Sequence, residues 1–369
     1  MKELRIKDIC DKGSSSLKQK DVEGKKGKYP VYGASGIISH IDSYHQEKNY
    51  IAIVKDGSGI GRVTFMPAKS SVIGTMQYIL PKEGFNINYI GYCLQSLDLS
   101  KYKQGAAIPH IYFRDYGERI VKVTEDINEQ QSIVDYLDSA FAKIDAMKAN
   151  AEKALNEAKA LFQASLKEML EPKEGWEEKK LGDICSDIRY GTSTPSNENG
   201  EYKYLRMNNI TNDGFLDVSH YKTISLPEKE LEKCLVKRGD IIFNRTNSRE
   251  LVGKSCVFTE DENMVIAGYL IRIRLKEGFE PQFITYSMNL QRSLGLFQHL
   301  IVGAVHQANI SANNIQKVII NYPPLSEQQS IVTTLDSLKS KVDKLQENYN
   351  KISQECDALK QAILRQVFE

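Results

Sequence analysis

Several short runs resemble catalytic or cofactor-binding motifs, but their spacing is wrong. Residues 253–255, Gly-Lys-Ser, match the end of a phosphate-binding loop, yet the position that requires the first glycine is Ser248. Residues 57–62, Gly-Ser-Gly-Ile-Gly-Arg, lack the spacing of a dinucleotide fingerprint and are more typical of a tight turn between strands. Residues 321–324, Asn-Tyr-Pro-Pro, hold the residues of an amino-methyltransferase motif in the wrong order. None of these runs supports a catalytic group.

The histidines and cysteines do not suggest a metal site either. The six histidines are His40, His45, His110, His220, His299 and His306, and no pair of them has metal-ligand spacing. The six cysteines include no C-x-x-C pair, and isolated cysteines suit a reducing compartment. The N-terminus lacks an apolar leader and no apolar stretch is long enough for a membrane span, so we expect a cytoplasmic protein without metal.

Hydrogen-bonding side chains cluster near glycine turns in two parts of the chain. Arginine, asparagine and glutamine can contact base edges bidentately, while lysine, serine and threonine hold phosphates. The candidates in the N-terminal part are Lys25, Lys26, Lys28, Tyr29, Tyr32, Ser35, Lys55, Ser58 and Arg62. The later candidates are Arg189, Tyr190, Thr192, Ser193, Arg206, Asn208, Asn209, Asn244, Arg245, Thr246, Asn247, Arg249, His306 and Gln307. Taken singly, a cluster of this kind is more often a solvated turn than a DNA-binding site, but its occurrence in two regions that each precede a long helix favours DNA binding.

The net charge of +1 hides a segregation along the 369 residues. Residues 1–124 carry 19 basic and 12 acidic residues, a net charge of +7. Residues 125–175 carry 6 basic and 11 acidic residues, a net charge of −5. A positive first region favours a polyanionic partner, although such an excess also keeps a protein soluble.

One segment occurs twice, and it organises the rest of the chain. Residues 127–170 and 325–368 align without gaps at an offset of 198, with 19 of 44 positions identical. Both copies begin with the run Glu-Gln-Gln-Ser-Ile-Val. Two copies are too few for a solenoid, so the sequence indicates a duplicated unit of globular domain plus helix.

Both repeated segments have the apolar spacing of a long helix that packs along one seam. The predicted seams are Ile133, Leu137, Ala140, Ile144, Met147, Ala151, Ala154, Ala158 and Leu161, and Ile331, Leu335, Leu338, Val342, Leu345, Tyr349, Ile352, Cys356, Leu359 and Ile363. The alanine-rich seam fits against the bulky one. We therefore expect an antiparallel intramolecular pair with a pseudo-twofold axis near Asn150 and Asn348. The alternative is two independent dimerisation coiled coils.

A region of mixed patterning precedes each helix. Strand-like runs occur at residues 50–54, 72–80, 240–243 and 269–275, and helical stretches at residues 88–97 and 281–290. The predicted fold class is α+β, with two similar globular domains joined by two long helices. The predicted boundaries are 1–124 for the first domain, 125–171 for the central helix, 172–322 for the second domain and 323–369 for the C-terminal helix.

With these features the chain resembles the specificity (S) subunit of type I restriction-modification systems over essentially its whole length. The resemblance rests on the repeated Glu-Gln-Gln helix starts at 129–131 and 327–329, on residues 322–325, and on residues 29–36. In the second domain it rests on residues 239–246 with Val252 and Gly253.

The resemblance implies two target-recognition domains that each bind one half of an asymmetric bipartite DNA site. It also implies that the helices set the spacer and bind two methyltransferase (M) subunits, which carry S-adenosylmethionine and methylate adenine, while restriction (R) subunits join for cleavage. No cofactor and no catalytic residue is expected in this chain. One alternative is a coiled-coil adaptor that binds protein alone. The other is a methyltransferase or nuclease fused to a specificity half, but the sequence lacks the glycine motif for S-adenosylmethionine and the Asn-Pro-Pro-Phe/Tyr motif.

Overall fold

The computed structural model describes residues 1–105, 109–304 and 307–369, which form two compact units. The first unit comprises residues 1–154 and 347–369, and the second comprises residues 155–346. The chain passes between units within its two long helices, α5 (Ile127–Met169) and α10 (Leu325–Phe368). Each unit therefore contains one globular domain and a part of each long helix.

The first domain is built from short strands with small helices between them. Its elements are β1 (Lys2–Arg5), α1 (Ile6–Ile9), β2 (Cys10–Ser14), α2 (Gln19–Val22), β3 (Tyr29–Gly33), β4 (Gly36–Ile41), β5 (Tyr50–Val54), β6 (Val63–Met66), β7 (Ser71–Val72), β8 (Met76–Pro81), α3 (Ile87–Ser96), α4 (Phe113–Tyr116) and β9 (Ile120–Val123). They form sheets with strand orders β2-β8-β5-β6, β4-β3-β7 and β1-β9.

The second domain repeats this plan with additional strands. Its elements are β10 (Glu177–Lys180), α6 (Leu181–Ile184), β11 (Cys185–Tyr190), β12 (Tyr202–Leu205), β13 (Lys222–Ile224), α7 (Glu228–Cys234), β14 (Leu235–Val236), β15 (Ile241–Asn244), β16 (Thr246–Asn247), β17 (Ser255–Val257), β18 (Met264–Ile266), β19 (Leu270–Leu275), α8 (Pro281–Ser293), β20 (Val302–Ala304), β21 (Gln307–Asn309), α9 (Ala312–Ile315) and β22 (Ile319–Tyr322). The sheet orders are β11-β19-β15-β17, β13-β12-β18-β14, β16-β21-β20 and β10-β22.

The strands at the centre of each domain are buried along their whole length, and apart from Asn244 at the end of β15 they consist of apolar or aromatic residues. Every residue of β5, Tyr-Ile-Ala-Ile-Val, is buried, as is every residue of β15, Ile-Ile-Phe-Asn. A continuous apolar run is what a strand covered on both faces requires. Both strands lie between two antiparallel neighbours, so β5 of the first domain corresponds to β15 of the second.

The sequence predicted one strand over residues 72–80, and this prediction is wrong. The run divides into β7, which pairs with β3, and β8, which pairs with β2 and β5 in a different sheet. Gly74 lies at the break, where an added Cβ would approach the Ser15 carbonyl oxygen to 3.2 Å. The chain therefore turns from one sheet into the other at Gly74.

A buried glutamine joins each long helix to its own domain. Gln130 in α5 has no exposed surface; its amide oxygen accepts from the Asn86 N–H at 2.7 Å, and its Nε2 donates to the carbonyls of Gly84 and Thr124. Gln328 in α10 is equally buried, and its side-chain oxygen accepts from the Glu280 N–H at 2.9 Å. Its Nε2 donates to the Pro323 carbonyl at 2.8 Å.

Each of the two glutamines accepts a hydrogen bond from the backbone N–H of a helix N-cap residue. Asn86 is the N-cap residue of α3 and Glu280 is the N-cap residue of α8. About two turns further along each long helix, Asp138 accepts from the Tyr92 hydroxyl of α3, and Asp336 accepts from the Tyr286 hydroxyl of α8 at 2.6 Å. Identical residues of the repeat therefore attach each domain helix to the long helix that follows it.

The long helices contact each other antiparallel within both units. In the first unit, Lys360 pairs with Asp145 at 2.6 Å and Lys148 with Asp357 at 3.5 Å, so residue numbers rise on α5 as they fall on α10. In the second unit, Lys159 of α5 donates to the Gln346 side chain of α10 at 2.8 Å. These contacts confirm the intramolecular pair rather than two separate dimerisation coiled coils.

The predicted seam of α5 is wrong in its C-terminal part. Met147 and Leu161 are each 59% exposed, and Ala154 is also exposed, whereas Leu155 and Phe162 are buried. From Leu155 onward α5 packs on the second domain, where the Phe162 ring lies 6.4 Å from Tyr286 of α8, and this leaves Leu161 on the exposed side of the helix. On α10 the predicted seam fits, except that Leu359 is 47% exposed.

Replacing Gln328 with alanine is expected to lower the free energy of unfolding by about 1–3 kcal/mol, because it leaves the Glu280 N–H and the Pro323 carbonyl without their partner in a buried site. Urea unfolding of the full chain measures this. The exposed neighbour Gln329 provides the matched control, since Gln329→Ala should change stability by less than about 0.5 kcal/mol. Equal effects of the two substitutions would contradict the role given to Gln328.

Candidate nucleic-acid interface

A cleft of about 940 Å³ opens in the second domain, beside the ends of three strands. Its lining residues are Thr192, Ser193, Thr194, Pro195, Tyr204, Arg206, Met207, Asn208, Arg245, Thr246, Asn247, Leu251, Lys254, Ala267, Gly268, Tyr269, Gln307 and Asn309. Eight of them are residues that the sequence predicted for DNA binding: Thr192, Ser193, Arg206, Asn208, Arg245, Thr246, Asn247 and Gln307. The described lining contains two arginines and a lysine but no carboxylate, so it is suited to an anionic ligand.

Strand pairing places these side chains together. Strand β12 runs parallel to β18, with Tyr204 opposite Val265 and Leu205 opposite Ile266, so both strands end at the same edge of their sheet. The segments that follow β12 and β18 line the cleft. Gly191 allows the chain before Thr192 to lie against them, because a Cβ at Gly191 would approach the Ala267 carbonyl oxygen to 2.2 Å.

The buried amide of Asn209 fixes the backbone at Arg206, three residues earlier in the chain. The Asn209 side-chain oxygen accepts from the Arg206 N–H at 2.8 Å, and its Nδ2 donates to the carbonyls of Asp217 and His220 at 2.8 and 2.7 Å. Asn209 is 2% exposed, so the structure assigns this predicted DNA-binding residue to the fold instead of the surface. Asn208, its neighbour, is exposed on the cleft.

Arg245 makes several contacts within the domain. Its Nη1 donates to the Gly268 carbonyl at 3.2 Å, its Nη2 donates to the Asn309 side chain at 3.1 Å, and its guanidinium carbon lies 4.7 Å from the centre of the Tyr190 ring. Asn309 in turn donates to the Thr246 hydroxyl at 2.8 Å. Arg245 therefore connects β16 and β21 beneath the cleft.

Lys254 is the third cation of the cleft, and it also faces inward. It is 5% exposed, and its Nζ donates to the Ile210 carbonyl at 2.7 Å. Burial, followed by the charge of Arg292, holds the pKa of Lys254 below its usual range. Residues 253–255 therefore have a structural role, in agreement with the failed match to a phosphate-binding loop.

The other predicted residues of this domain lie outside the cleft lining. Arg189, Tyr190 and Arg249 are exposed, with Arg189 paired to Asp187 at 2.8 Å and Arg249 bonded to Gln298 at 3.0 Å. Asn244 has no exposed surface, and burial in the central strand β15 removes it from the set that a ligand can reach. His306 lies outside the described residues.

In the first domain, one part of the predicted set comes together around the β3–β4 turn. Arg62 donates from Nη1 to the Ala34 carbonyl at 2.9 Å, which ties the turn that contains Ser35 to the glycine loop that contains Ser58. Lys55 is partly buried beside Asp56, with 3.9 Å between its Nζ and the carboxylate. Tyr32 packs partly against the buried cluster that includes Tyr50 and Val54.

The lysine cluster lies at the other end of β3. Lys25, Lys26 and Lys28 are exposed and precede the strand, whereas Ser35 follows it. Five residues of strand separate the two groups by roughly 16 Å. Tyr29 begins the strand, with its ring 4.8 Å from Tyr44 and Lys28 over its face at 5.6 Å. The structure therefore divides the predicted set of the first domain into two surfaces.

Hydrogen bonds identify equivalent positions in the two domains that the sequence offset conceals. The Lys55 carbonyl accepts from the Ile111 N–H, and the Arg245 carbonyl accepts from the Ile310 N–H. The Tyr32 carbonyl likewise accepts from the Ile73 N–H, as the Leu205 carbonyl does from the Ala267 N–H. Lys55 thus corresponds to Arg245.

Since Tyr32 corresponds to Leu205, the next residue, Gly33, stands where the second domain has Arg206. The two sites therefore differ at a central position, where one domain has a glycine and the other an arginine.

Several residues at these sites were missed by sequence reasoning. Asp56 forms an ion pair with His110, whose ring lies 4.1 Å from that of Tyr112. In the second domain, Tyr204 and Tyr269 also line the cleft, and Tyr269 is 52% exposed. Pairing between strands that are distant in sequence places these residues at the sites, and no local sequence pattern indicates this pairing.

The described residues hold no group of histidine, cysteine or acidic side chains that could bind a metal ion. Within residues 1–105, 109–304 and 307–369, no helix is both long and apolar enough to cross a membrane.

Substitution of Asn209 by alanine is expected to lower the free energy of unfolding by about 1–3 kcal/mol, since three hydrogen bonds of a buried amide are lost. Asn208→Ala at the exposed neighbour should leave stability within about 0.5 kcal/mol of the unsubstituted chain. Thermal and urea unfolding of both variants measure the difference. A destabilised Asn208 variant beside a stable Asn209 variant would reverse the two assignments.

Comparison with known proteins places the chain in a family. The sequence matches the Type I restriction modification DNA specificity domain twice, over residues 1–157 and 173–354. The fold is similar to a chain from a type I R-M system solved to explain its complex assembly and conformational transition, with a TM-score of 0.73, 19% identity and 98% and 96% coverage. It is also similar to the HsdS subunit from Thermoanaerobacter tengcongensis, with a TM-score of 0.55, 18% identity and 98% and 95% coverage.

Curated relatives bear the same family name. The chain is 27% identical over 256 residues to the EcoKI specificity subunit of Escherichia coli K12, covering 65% of this chain and 55% of that one. It is 24% identical over 307 residues to the StySPI specificity subunit of Salmonella potsdam, covering 78% and 66%. The chain thus spans about half to two thirds of the length of these relatives. With both domains matched by the family model, the chain belongs to the type I restriction-modification DNA specificity family.

Proposed function

We propose that this chain is the DNA-specificity subunit of a type I restriction-modification complex. Each globular domain binds one half of a bipartite site, and the chain itself carries out no chemistry. The observation that carries this proposal is the cleft of the second domain, which combines cationic, amide and hydroxyl side chains with no carboxylate in its described lining. Such a lining matches the acceptor-rich edges and phosphates of DNA.

The two half-sites should differ in sequence. The two domains share the backbone hydrogen bonds that define equivalent positions, but the residues at these positions differ. Gly33 of the first domain corresponds to Arg206 of the second, and Lys55 corresponds to Arg245. Because base recognition depends on individual side chains, unlike side chains at equivalent positions select unlike bases. The expected target is two different short sequences separated by base pairs that neither domain contacts.

The proposed partners on the helices are two methyltransferase subunits, which would hold the S-adenosylmethionine and methylate adenine. Restriction subunits would join the complex for cleavage.

Two copies of one partner require two similar surfaces. Leu161 of α5 and Leu359 of α10 are identical in the repeat, and both are exposed, at 59% and 47%. Each is flanked by exposed alanines at the same repeat positions, Ala160 and Ala164 beside Leu161 and Ala358 and Ala362 beside Leu359. The net negative charge of α5 suits contact with protein better than contact with phosphates.

Co-expression with the methyltransferase subunit of the same system tests the main proposal. Sequencing of the modified adenines should give one asymmetric bipartite motif, and a gel shift should show that the complex prefers this sequence to a scrambled duplex. A complex that forms but methylates no defined sequence and has no preference among duplexes would support the protein-binding adaptor instead.

Lys26→Ala is expected to weaken binding to specific and scrambled DNA by the same factor. Lys26 is exposed before β3 and carries a charge suited to phosphate. Loss of one phosphate contact should reduce the slope of log K against log salt by about 0.9. Titrations at several salt concentrations measure the slope, with exposed Lys173→Ala as the control. An unchanged slope would remove Lys26 from the interface.

Leu161→Glu and Leu359→Glu are each expected to reduce the complex from two methyltransferase subunits to one, and the double variant to none. A buried carboxylate without a partner costs several kcal/mol, enough to abolish a contact of ordinary affinity. Native mass spectrometry gives the stoichiometry. Met147→Glu is the matched control, because Met147 is equally exposed but has no identical residue in the second copy. Two bound subunits on the double variant would contradict this docking surface.

A further inference from the structure

The three cations of the second domain's cleft differ in how far their hydrogen-bonding capacity is already used. Lys254 is buried and donates to the Ile210 carbonyl. Both terminal nitrogens of Arg245 donate within the domain, to Gly268 and to Asn309. Reorienting either side chain toward a ligand would break these hydrogen bonds.

Arg206 is the exception. Among the described residues, no hydrogen bond or ion pair involves its guanidinium, and its Nε is buried without a partner. Its side chain lies in the cleft lining and is partly exposed. A guanidinium with both terminal nitrogens free has the planar pair of donors that bidentate recognition requires.

The backbone of Arg206 is fixed although its side chain is free. Its N–H donates to the buried Asn209 amide at 2.8 Å, and its carbonyl accepts from the Asn209 N–H at 2.9 Å. The preceding residue, Leu205, pairs with β18 in the sheet and has no exposed surface. A side chain that starts from a rigid position and ends in a free donor pair is suited to selecting one base.

The surroundings favour a base edge over a lone phosphate. Asn208 and Gln307 are exposed on the same cleft, and amides of this type pair with adenine edges. A phosphate site would instead bring several cations together, but the other two cations here are occupied. The O6 and N7 acceptors of guanine in the major groove match the two terminal nitrogens of one arginine.

We propose that Arg206 determines the specificity of the second domain by binding the edge of one guanine in its half-site. This inference rests on the proposed DNA-specificity function. Gly33 occupies the corresponding position of the first domain, so the first domain has no counterpart of this contact.

The experiment uses the full chain in complex with the methyltransferase subunit of its system. The motif is first obtained from the methylated adenines of the unsubstituted complex. Equilibrium binding is then measured for the motif duplex and for duplexes in which each base pair of the second half-site is changed in turn. Every variant is compared with the unsubstituted complex as a ratio of affinities at each position.

Arg206→Lys keeps the positive charge but removes the bidentate fork. It should weaken binding to the motif by roughly 5- to 100-fold and bring the discrimination ratio at one guanine close to 1, with the other positions unchanged. Arg206→Ala should do the same. Arg238→Ala, at an exposed arginine paired with Asp261 and outside the cleft lining, should change no ratio.

Two results would overturn the inference. One is an Arg206→Lys complex that keeps every discrimination ratio, which would make Arg206 a phosphate contact or a bystander. The other is collapse of the guanine ratio in Arg245→Lys but not in Arg206→Lys, which would assign the contact to Arg245. A lack of any sequence preference in the unsubstituted complex would contradict the proposed function itself. That result would appear before any variant is measured, so it is distinct from a failure of the Arg206 inference. Unfolding midpoints confirm that each variant is folded.

Discussion

The structure depends on one buried side-chain amide at the start of each long helix. Gln130 and Gln328 each accept from the N-cap N–H of a domain helix and donate to a carbonyl that precedes the long helix, so each amide is hydrogen-bonded in a fully buried site. An unpaired amide there would cost more than a surface hydrogen bond gains, so the orientation of the helix on its domain is tightly specified. The tyrosine–aspartate contacts about two turns later add a second point of attachment, which opposes rotation about the first.

This attachment separates what must be constant from what can vary. Among the described residues, the hydrogen bonds of both glutamines go to backbone groups near the starts of the domain helices and of the long helices, and none goes to the strand ends that carry the candidate DNA-binding residues. The two domains can thus differ at positions such as Gly33 and Arg206 while the same helix ends hold them. Under the proposed function, specificity and assembly would be carried by different parts of each domain-plus-helix unit.

The sequence predicted the features that depend on local periodicity or identity: the duplicated helices, the strands at 50–54 and 269–275, of which the second begins at Leu270 in the structure, and the clustering of polar residues near glycine turns. It was wrong where distant segments decide the outcome. Leu161 fits a heptad, but contact between Phe162 and the second domain turns Leu161 to solvent. Asn208 and Asn209 are indistinguishable in sequence, yet carbonyls from Asp217 and His220 bury one of them. The parallel pairing of β12 with β18, which creates the cleft edge, joins strands some sixty residues apart and leaves no local pattern.

The N-cap contact of Gln130 and Gln328 has a consequence for how such proteins diversify. The helix recognises a backbone N–H, which every residue except proline provides, so the junction places almost no demand on the identity of the incoming domain. A foreign domain that begins its helix with a free N–H and carries a tyrosine two turns into it would meet the same partners. The junction is therefore compatible with exchange of a whole domain as well as with point substitutions inside it.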